Sequence, residues 1–237
     1  MSARVRLYLD CEMVEGAALT VTEQAHYLTT VMRLREGDLL EVFNGRDGAY
    51  EAEIVGSGRR EVVLRLRRQV AVQRDPPDLW VLFAPIKKAR TDFIVEKATE
   101  LGAARIQPVF TLRTNAERVR TSRLRAHAVE AAEQCGGTSV PAIAEPAQLE
   151  DVLDAWPHGR TLIWCDERPE GARQHMAALG PGPAAVLVGP EGGFAQQEVA
   201  TLSAMATPVT LGPRILRADT AVVAALTLWQ AAHGDWR

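Results

Sequence analysis

The chain has 237 residues, 47% of them hydrophobic, which is enough for one large globular domain or two smaller ones. Its formal net charge of −3 does not by itself favour a nucleic-acid binder. The charge is uneven, however, because residues 1–125 carry 21 Lys and Arg against 17 Asp and Glu, whereas residues 126–237 carry 6 against 13. A basic half can bind phosphate locally, since screening confines the attraction to roughly 10 Å.

Several classes of protein are disfavoured by simple patterns. The sequence has no apolar run approaching the roughly 18 residues of a membrane-spanning helix, and its first residues lack the apolar stretch of a signal peptide. The three cysteines, Cys11, Cys135 and Cys165, form no C-x-x-C pair, and the five histidines show no metal-ligand spacing. We therefore expect a cytoplasmic protein with no metal and no membrane partner.

Residues 1–72 have the pattern of a small β-barrel or sandwich. Alternating apolar and polar residues predict strands over Arg4–Leu9, Leu39–Phe43, Ala49–Val55 and Glu61–Val70. Thr22 is expected to cap a short helix that runs to about Leu34. The glycine-containing segment Asn44–Gly48 predicts a hairpin between two of the strands.

The pattern changes after Pro76-Pro77, where two successive prolines interrupt any regular element. Strands are predicted over Leu79–Ala84, Arg105–Phe110, Thr161–Cys165, Ala184–Val188 and Pro208–Leu211. Helices are predicted over Lys87–Leu101, Glu117–Gln134, Ala195–Ala206 and Ala218–His233. Repeated strand–helix units predict an α/β domain with a mainly parallel sheet that is covered on both faces.

Two loops of this domain stand out as candidate ligand-binding segments. Leu187–Phe194 contains three glycines and Leu211–Thr220 contains a Gly-Pro pair, and each loop leads from a predicted strand into a helix. Open α/β sheets bind ligands at the carboxyl ends of their strands. A tight turn alone would also explain each loop. The sequence contains no G-x-G-x-x-G, G-x-x-x-x-G-K-[ST] or G-x-S-x-G motif, which disfavours a dinucleotide site, a P-loop and an α/β-hydrolase.

Five segments, taken in order, resemble the signatures of one family. They are His26–Asp38, Lys87-Lys88 with Glu96–Gly102, Ala131–Gly136, Val188–Phe194 and Leu211–Arg217. Together they are similar to the RsmE-type 16S ribosomal RNA uridine-N3 methyltransferases of the SPOUT superfamily. The chain departs from that pattern at Gly137, where Arg is frequent, and at Ala218-Asp219, where Thr-Glu is frequent. It also has Ala195 where Ser or Thr often caps the helix.

The resemblance implies a PUA-like RNA-binding β-barrel over residues 1–72 and a SPOUT, or α/β-knot, methyltransferase domain with a C-terminal trefoil knot over residues 73–237. It also implies S-adenosyl-L-methionine as cofactor, 16S ribosomal RNA or the small ribosomal subunit as partner, and a homodimer. Val222, Val223, Leu226 and Trp229 in the last predicted helix could belong to a core or to the dimer interface. The implied activity is methylation of N3 of a uridine.

The two candidate loops and the family resemblance together give the candidate site residues. The expected cofactor-binding residues are Leu187, Gly189, Pro190, Glu191, Gly192, Gly193, Leu211, Gly212, Ile215, Leu216 and Thr220. Arg217 and Asp219 are the candidate catalytic residues, because a guanidinium can stabilise negative charge on the uracil and a carboxylate can accept the N3 proton. Asp219 could instead be a carboxylate that stabilises the start of a helix, and Glu191 could have a structural role.

The candidate RNA contacts are basic residues of both halves: Arg4, Arg6, Arg33, Arg35, Arg65, Arg67, Lys87, Lys88, Arg90 and Arg113. The cations at the start of the helix after Lys87 oppose the helix dipole, and a phosphate partner would explain them. Each group could also be an ordinary solvated surface.

Two alternatives to the N3 methyltransferase remain open at this stage. The first is an RNA-binding ribosome-assembly factor without catalysis, which the changes at Gly137 and Asp219 would favour. The second is a SPOUT methyltransferase that acts on another RNA atom, such as a ribose 2′-OH. Cofactor binding distinguishes the first alternative, and the position of the methyl group distinguishes the second.

Overall fold

The computed structural model describes residues 5–116, 118–166 and 175–236. These residues form two compact units: the first comprises the chain up to Asp75 together with Ala132–Val140, and the second comprises Pro76–Ala131 and the residues from Pro141 on. The sequence pattern gave no sign that residues 132–140 return to the first unit. Arg4, a predicted RNA contact, lies outside the described residues.

The first unit is a five-stranded sheet, in which four strands follow the alternating sequence and the strand over Ala18–Val21 was not predicted. Its described strands are β1 (Arg6–Tyr8), β2 (Ala18–Val21), β3 (Leu39–Phe43), β4 (Ala49–Ser57) and β5 (Val62–Ala71). They lie in the order β1-β3-β4-β5-β2, with β1 and β3 parallel and the other pairs antiparallel. Inward-facing side chains such as Leu40, Val42 and Leu64 are fully buried in one core.

The hairpin between β3 and β4 forms where the sequence predicts it. The Asp47 carboxylate accepts the Met13 N–H at 2.9 Å and the Asn44 side-chain amide at 2.6 Å. Hydrogen bonds from the backbone of Met13 and the side chain of Asn44 lower the pKa of Asp47 below its ordinary value. Gly48 has φ +84°, and a Cβ there would lie 2.2 Å from the Ala71 carbonyl oxygen, so glycine is required at this turn.

The helix predicted from Thr22 to about Leu34 is wrong in extent and type. The structure has a shorter π-helical turn over Tyr27–Val31, and its first flanking residue, His26, makes no side-chain capping hydrogen bond. Leu28 is buried in the core of the sheet. Packing of this one apolar residue therefore accounts for the turn better than the capping that the sequence suggested.

The second unit is a parallel α/β domain. Its described strands are β6 (Leu79–Phe83), β7 (Arg105–Phe110), β8 (Ala142–Ile143), β9 (Ala147–Gln148), β10 (Thr161–Cys165), β11 (Ala184–Val188) and β12 (Thr207–Val209). The helices are α1 (Lys88–Glu100), α2 (Thr121–Cys135), α3 (Leu149–Asp154), α4 (Gln196–Met205) and α5 (Ala218–His233), and the last turn of α2 belongs to the first unit. The sheet order is β12-β10-β11-β6-β7-β8, with β9 also paired to β7 and all pairs parallel.

Most of these elements agree with the sequence prediction, and β7, β10, β11 and α5 have the predicted bounds. Helix α2 begins four residues later than expected, and the short elements β8, β9 and α3 were not predicted. Helix α1 ends before Gly102, whose φ of +74° is the left-handed conformation that terminates many helices. A buried amide then joins α5 to this turn, because Gln230 Nε2 donates to the Leu101 carbonyl at 2.7 Å.

Two kinds of feature are absent from the described residues. These residues include no helix that is long and apolar enough to cross a membrane. They also include no group of three or more His, Cys, Asp or Glu side chains that could hold a metal ion.

Candidate functional site

A cavity of the second unit lies at the carboxyl ends of three neighbouring strands. Strands β12, β10 and β11 are adjacent in the sheet, so the segments that follow them meet at one edge. Those segments and the start of α5 enclose about 690 Å³. This volume is in the range of small-molecule binding sites in proteins.

The loop after β11 is shaped by its glycines. Gly193 has φ +66° and its N–H donates to the Pro190 carbonyl at 2.9 Å, which closes a tight turn. A Cβ at Gly189 would lie 2.6 Å from Cε2 of Phe194, so this backbone lies directly against an aromatic ring. Gly212, in the loop after β12, has φ +112°. Both loops therefore depend on glycine for their path around the cavity.

Most of the predicted cofactor residues line this cavity. They are Gly189, Pro190, Glu191, Gly192, Gly193, Leu211, Gly212, Ile215 and Leu216. Leu187 and Thr220 do not line it: Leu187 is fully buried in the core of the sheet, and Thr220 is exposed in the first turn of α5. Ile215 is 78% exposed, so it presents an apolar surface to solvent at the mouth of the cavity.

The end of β10 supplies a third wall that the sequence analysis did not anticipate. Trp164, Cys165 and Asp166 line the cavity, and the Trp164 ring packs edge-on against Phe194 with 5.9 Å between the ring centroids. Burial raises the pKa of the Cys165 thiol to about 12, so this group is neutral at physiological pH. The strand itself was predicted, but its position beside β11 is a property of the sheet order, which local periodicity does not encode.

The two candidate catalytic residues occupy the entrance to α5. Arg217 is the N-cap residue of the helix, is exposed, and lines the cavity. Asp219 is in the first turn, where its Oδ1 accepts the Thr220 N–H at 2.9 Å and its Oδ2 lies 3.8 Å from Nε of Arg90. The Asp219 carboxylate thus has partners for both oxygens.

Arg90 and Arg113 connect the cavity loops to other parts of the second unit. Besides its contact with Asp219, Arg90 places Nη1 3.6 Å from Oε1 of Glu191, so one guanidinium of α1 faces a carboxylate from each loop. Arg113, in the segment after β7, donates from Nη1 to the Gly192 carbonyl at 2.9 Å. Sequence analysis assigned both arginines to RNA, and the structure gives each of them a partner at the cavity.

A carboxylate binds the backbone at the start of α4, where Ala195 provides no side-chain cap. Glu198 Oε2 accepts the Ala195 N–H at 2.7 Å, and its Oε1 accepts the Leu112 N–H at 2.8 Å. This is the glutamate half of a capping box: it satisfies the N–H of Ala195 itself, whereas alanine has no side-chain acceptor for the next N–H groups of the helix. The same side chain joins the loop after β7 to the start of α4.

Among the predicted RNA contacts of the first unit, Arg6 has a structural role. Its guanidinium bonds to Glu41 Oε1 at 2.7 Å and to the carbonyls of Ala132, Glu133 and Gly137, and its side chain is only 11% exposed. Two of these carbonyls belong to the last turn of α2, where a cation is favoured. Because these donors are already used, we leave Arg6 out of the RNA surface.

The other basic candidates of the first unit are exposed. Arg33, Arg35 and Arg65 form no ion pair within the described parts of the chain, whereas Arg67 pairs with Glu53. In the second unit, Lys87 and Lys88 are exposed at the start of α1. Their exposed side chains are accessible to a phosphate group.

Comparison with known proteins agrees with the two units. Residues 73–230 match the family model described as an RNA methyltransferase domain, and residues 19–67 match one described as an RNA methyltransferase PUA domain. The chain is 31% identical to the ribosomal RNA small subunit methyltransferase E of Synechocystis over 91% of this chain and 73% of the relative. It is 28% identical to the enzyme of that name from Rickettsia conorii over 93% of each chain.

A solved structure extends the similarity to the fold. The ribosomal RNA small subunit methyltransferase E of Neisseria gonorrhoeae, bound to S-adenosylmethionine, matches with a TM-score of 0.90 and 26% identity. The match covers 99% of this chain and 100% of that chain.

Proposed function

The chain belongs to the ribosomal RNA small subunit methyltransferase E family, and we propose that it methylates N3 of a uridine in 16S ribosomal RNA with S-adenosyl-L-methionine as donor. The observation that carries this proposal is the cavity at the carboxyl ends of β10, β11 and β12, on a chain that matches a cofactor-bound relative over nearly its whole length. We expect the protein to act in the cytoplasm, where its RNA substrate is found.

The residues around the cavity suit S-adenosyl-L-methionine. Trp164, Val188, Phe194, Leu211 and Leu216 offer apolar walls for an adenine ring, and glycine backbone leaves room for close approach of a ligand. When bound, this cofactor supplies a methyl group already activated by a sulfonium sulfur. The protein therefore has to bind the uracil in position and to allow removal of the N3 proton.

Arg217 is the residue that we assign to the uracil itself. The N3 proton passes to solvent water as the nitrogen takes up the methyl group, which leaves negative charge on the uracil oxygens. A guanidinium at the cavity wall can donate hydrogen bonds to such an oxygen. Its position at the N-cap of α5 adds the positive end of a helix dipole to the same place. We expect Arg217 to act mainly on the rate of methyl transfer.

For Asp219, the contacts support a positioning role over that of general base. Both oxygens have partners, and the carboxylate lies in the first turn of α5, where acidic residues stabilise helices. Through Arg90, Asp219 and Glu191 link the two cavity loops to α1. We propose that this set of ion pairs keeps the loops in place around the cofactor.

Three further parts of the proposal come from the family resemblance. The exposed arginines of the first unit, Arg33, Arg35, Arg65 and Arg67, would contact RNA phosphates together with Lys87 and Lys88. The C-terminal region would form a trefoil knot. The protein would be a homodimer with two equivalent sites.

Mass spectrometry of a single-enzyme reaction tests the proposal. Purified protein is incubated with unmodified 16S ribosomal RNA and a cofactor whose methyl group carries deuterium, and the RNA is digested to nucleosides. The label is expected on the base of uridine, at N3. Label on a ribose 2′-OH would identify a different RNA methyltransferase, and binding of RNA without any labelled product would favour a non-catalytic assembly factor.

A further inference from the structure

The second unit contains another cavity, which shares no lining residue with the first. It encloses about 410 Å³ between the start of α1 and the segment that leads into α2. The buried residues Pro85 and Leu124 contribute apolar walls. The candidate cofactor site does not account for it, and of its lining residues only Lys88 is among the RNA contacts expected from the sequence.

This second cavity is strongly cationic. Of the ten described residues that line it, four carry positive charge: Lys88, Arg118, Arg120 and Arg123. Arg123 pairs with the buried Asp92 carboxylate, which offsets one charge. The remaining three cations form no ion pair within the described ranges, so the cavity keeps an excess of positive charge.

The N-termini of two helices contribute further positive charge to this cavity. Helices α1 and α2 both begin at this cavity, and neither has an acidic residue in its first turn. The N-cap residue of α1, Lys87, makes no side-chain capping hydrogen bond. The first N–H groups of a helix favour an anion, yet the nearby side chains are cations, so one anionic ligand would satisfy both sets of donors.

We infer that the second cavity binds a phosphate group of the RNA backbone, apart from the nucleotide that is methylated. This inference rests on the proposed function, since it takes RNA as the partner. The segment after β7 supplies Arg113 to the first cavity and Arg118 and Arg120 to the second. Seven residues span at most about 25 Å, so one RNA segment can reach both cavities.

Phosphate contacts of this kind position RNA without reading its sequence. A cation that holds a phosphate raises affinity and steepens the fall of affinity with salt, because counterions are released on binding. It does not act on the reacting base. Its loss should therefore raise the KM for RNA while leaving kcat and cofactor affinity unchanged.

The test uses the full chain with the substitutions Arg118→Gln and Arg120→Gln, singly and together. Lys97→Gln is the matched control, because Lys97 lies at the other end of α1, where it contacts Glu100 and Phe93. Binding of protein-free 16S ribosomal RNA is measured between about 50 and 200 mM salt. Each single variant should bind more weakly, with the slope of log affinity against log salt smaller by about one, and the double variant should bind at least as weakly as either single variant.

The outcomes separate this inference from the proposed function. Wild-type affinity and salt slope in both single variants and in the double variant would overturn the phosphate site, whatever the methylation assay shows. An equal loss in Lys97→Gln would overturn it as well, because the effect would then belong to net charge. If the cavity variants lose RNA binding but the wild-type protein transfers no methyl group, the phosphate site stands and the proposed activity fails. Thermal unfolding of each variant confirms that it is folded.

Discussion

At the scale of single residues, some positions of the site could be predicted from the sequence and others could not. The glycines after β11 and β12 could be identified because three of them lie within Leu187–Phe194 and another begins a Gly-Pro pair in Leu211–Thr220. Trp164 and Asp166 were missed, because they gain their significance only from the strand that lies beside them. Arg6 was misjudged for a related reason, since its partners in the end of α2 are far away in sequence.

Replacement of Arg217 by alanine should slow methyl transfer by roughly a hundredfold or more, since it removes a hydrogen-bond donor to developing charge. Cofactor affinity, measured by calorimetry, should stay within a few-fold of the wild-type value, because the methyl donor does not need this charge. Single-turnover methylation of 16S ribosomal RNA gives the rate.

Arg217→Lys provides the comparison for that experiment. It keeps the charge but loses the planar fork of donors, so an intermediate rate is expected. A wild-type rate for Arg217→Ala would remove this residue from the reaction.

Replacement of Gly189 by alanine should weaken cofactor binding by about tenfold or more, the equivalent of the 1–3 kcal/mol that overpacking typically costs. The new Cβ would lie 2.6 Å from Cε2 of Phe194 and would push the ring from its place beside Trp164. Gly192→Ala is a matched control in the same loop, because its Cβ would meet Arg113 at an ordinary 3.7 Å. Equal affinities for the two variants would refute the packing argument.

At the scale of elements, strand–helix periodicity predicts most of the second unit. Strands β10 and β11 are short, mainly apolar runs, and they and β7 have the bounds that the sequence predicts. The order of the strands was not predictable, because it depends on how crossovers pack and not on local pattern. For the same reason the sequence placed the cavity at two loops, whereas the structure builds it from three strand ends.

The stability of the β3–β4 hairpin is expected to depend on pH. The folded-state pKa of Asp47 is lowered, so its stabilising effect is complete above the unfolded-state value, near 3.9, and is lost as the pH falls through the folded value. The Met13 amide, which donates to Asp47, should therefore be protected from hydrogen exchange at neutral pH and less protected, relative to the intrinsic rate, in acid.

Asp47→Asn should show lower protection of Met13 at neutral pH, because the amide side chain carries no charge. The difference from the wild-type protein should shrink as the Asp47 carboxylate of the wild type is protonated. A constant difference between the two proteins across this pH range would show that the charge of Asp47 has no part in holding the hairpin.

At the scale of the whole molecule, the two family models match this chain in succession, the PUA model over residues 19–67 and the methyltransferase model over residues 73–230. The domain boundary that we predicted between residues 72 and 73 lies close to the start of the second unit at Pro76. The homodimer stays a prediction. Of the apolar residues of α5 that could have formed its interface, Val222, Leu226 and Trp229 are buried within the chain itself.

Light scattering on the full chain at micromolar concentration should give twice the chain mass of 25.9 kDa. The family resemblance is the basis for this expectation, and two-fold symmetry is the commonest arrangement of protein oligomers. The mass of a single chain at that concentration would contradict it.

The central claim is that this chain places a methyl group on N3 of a uridine in small-subunit ribosomal RNA. The most direct measurement is mass spectrometry of nucleosides from the 16S ribosomal RNA of cells that have or lack the protein, with the deletion complemented by the wild-type chain or by Arg217→Ala. The account predicts that 3-methyluridine is lost on deletion, returns with the wild-type chain and stays absent or strongly reduced with the variant. An unchanged amount of 3-methyluridine in cells without the protein would contradict the account.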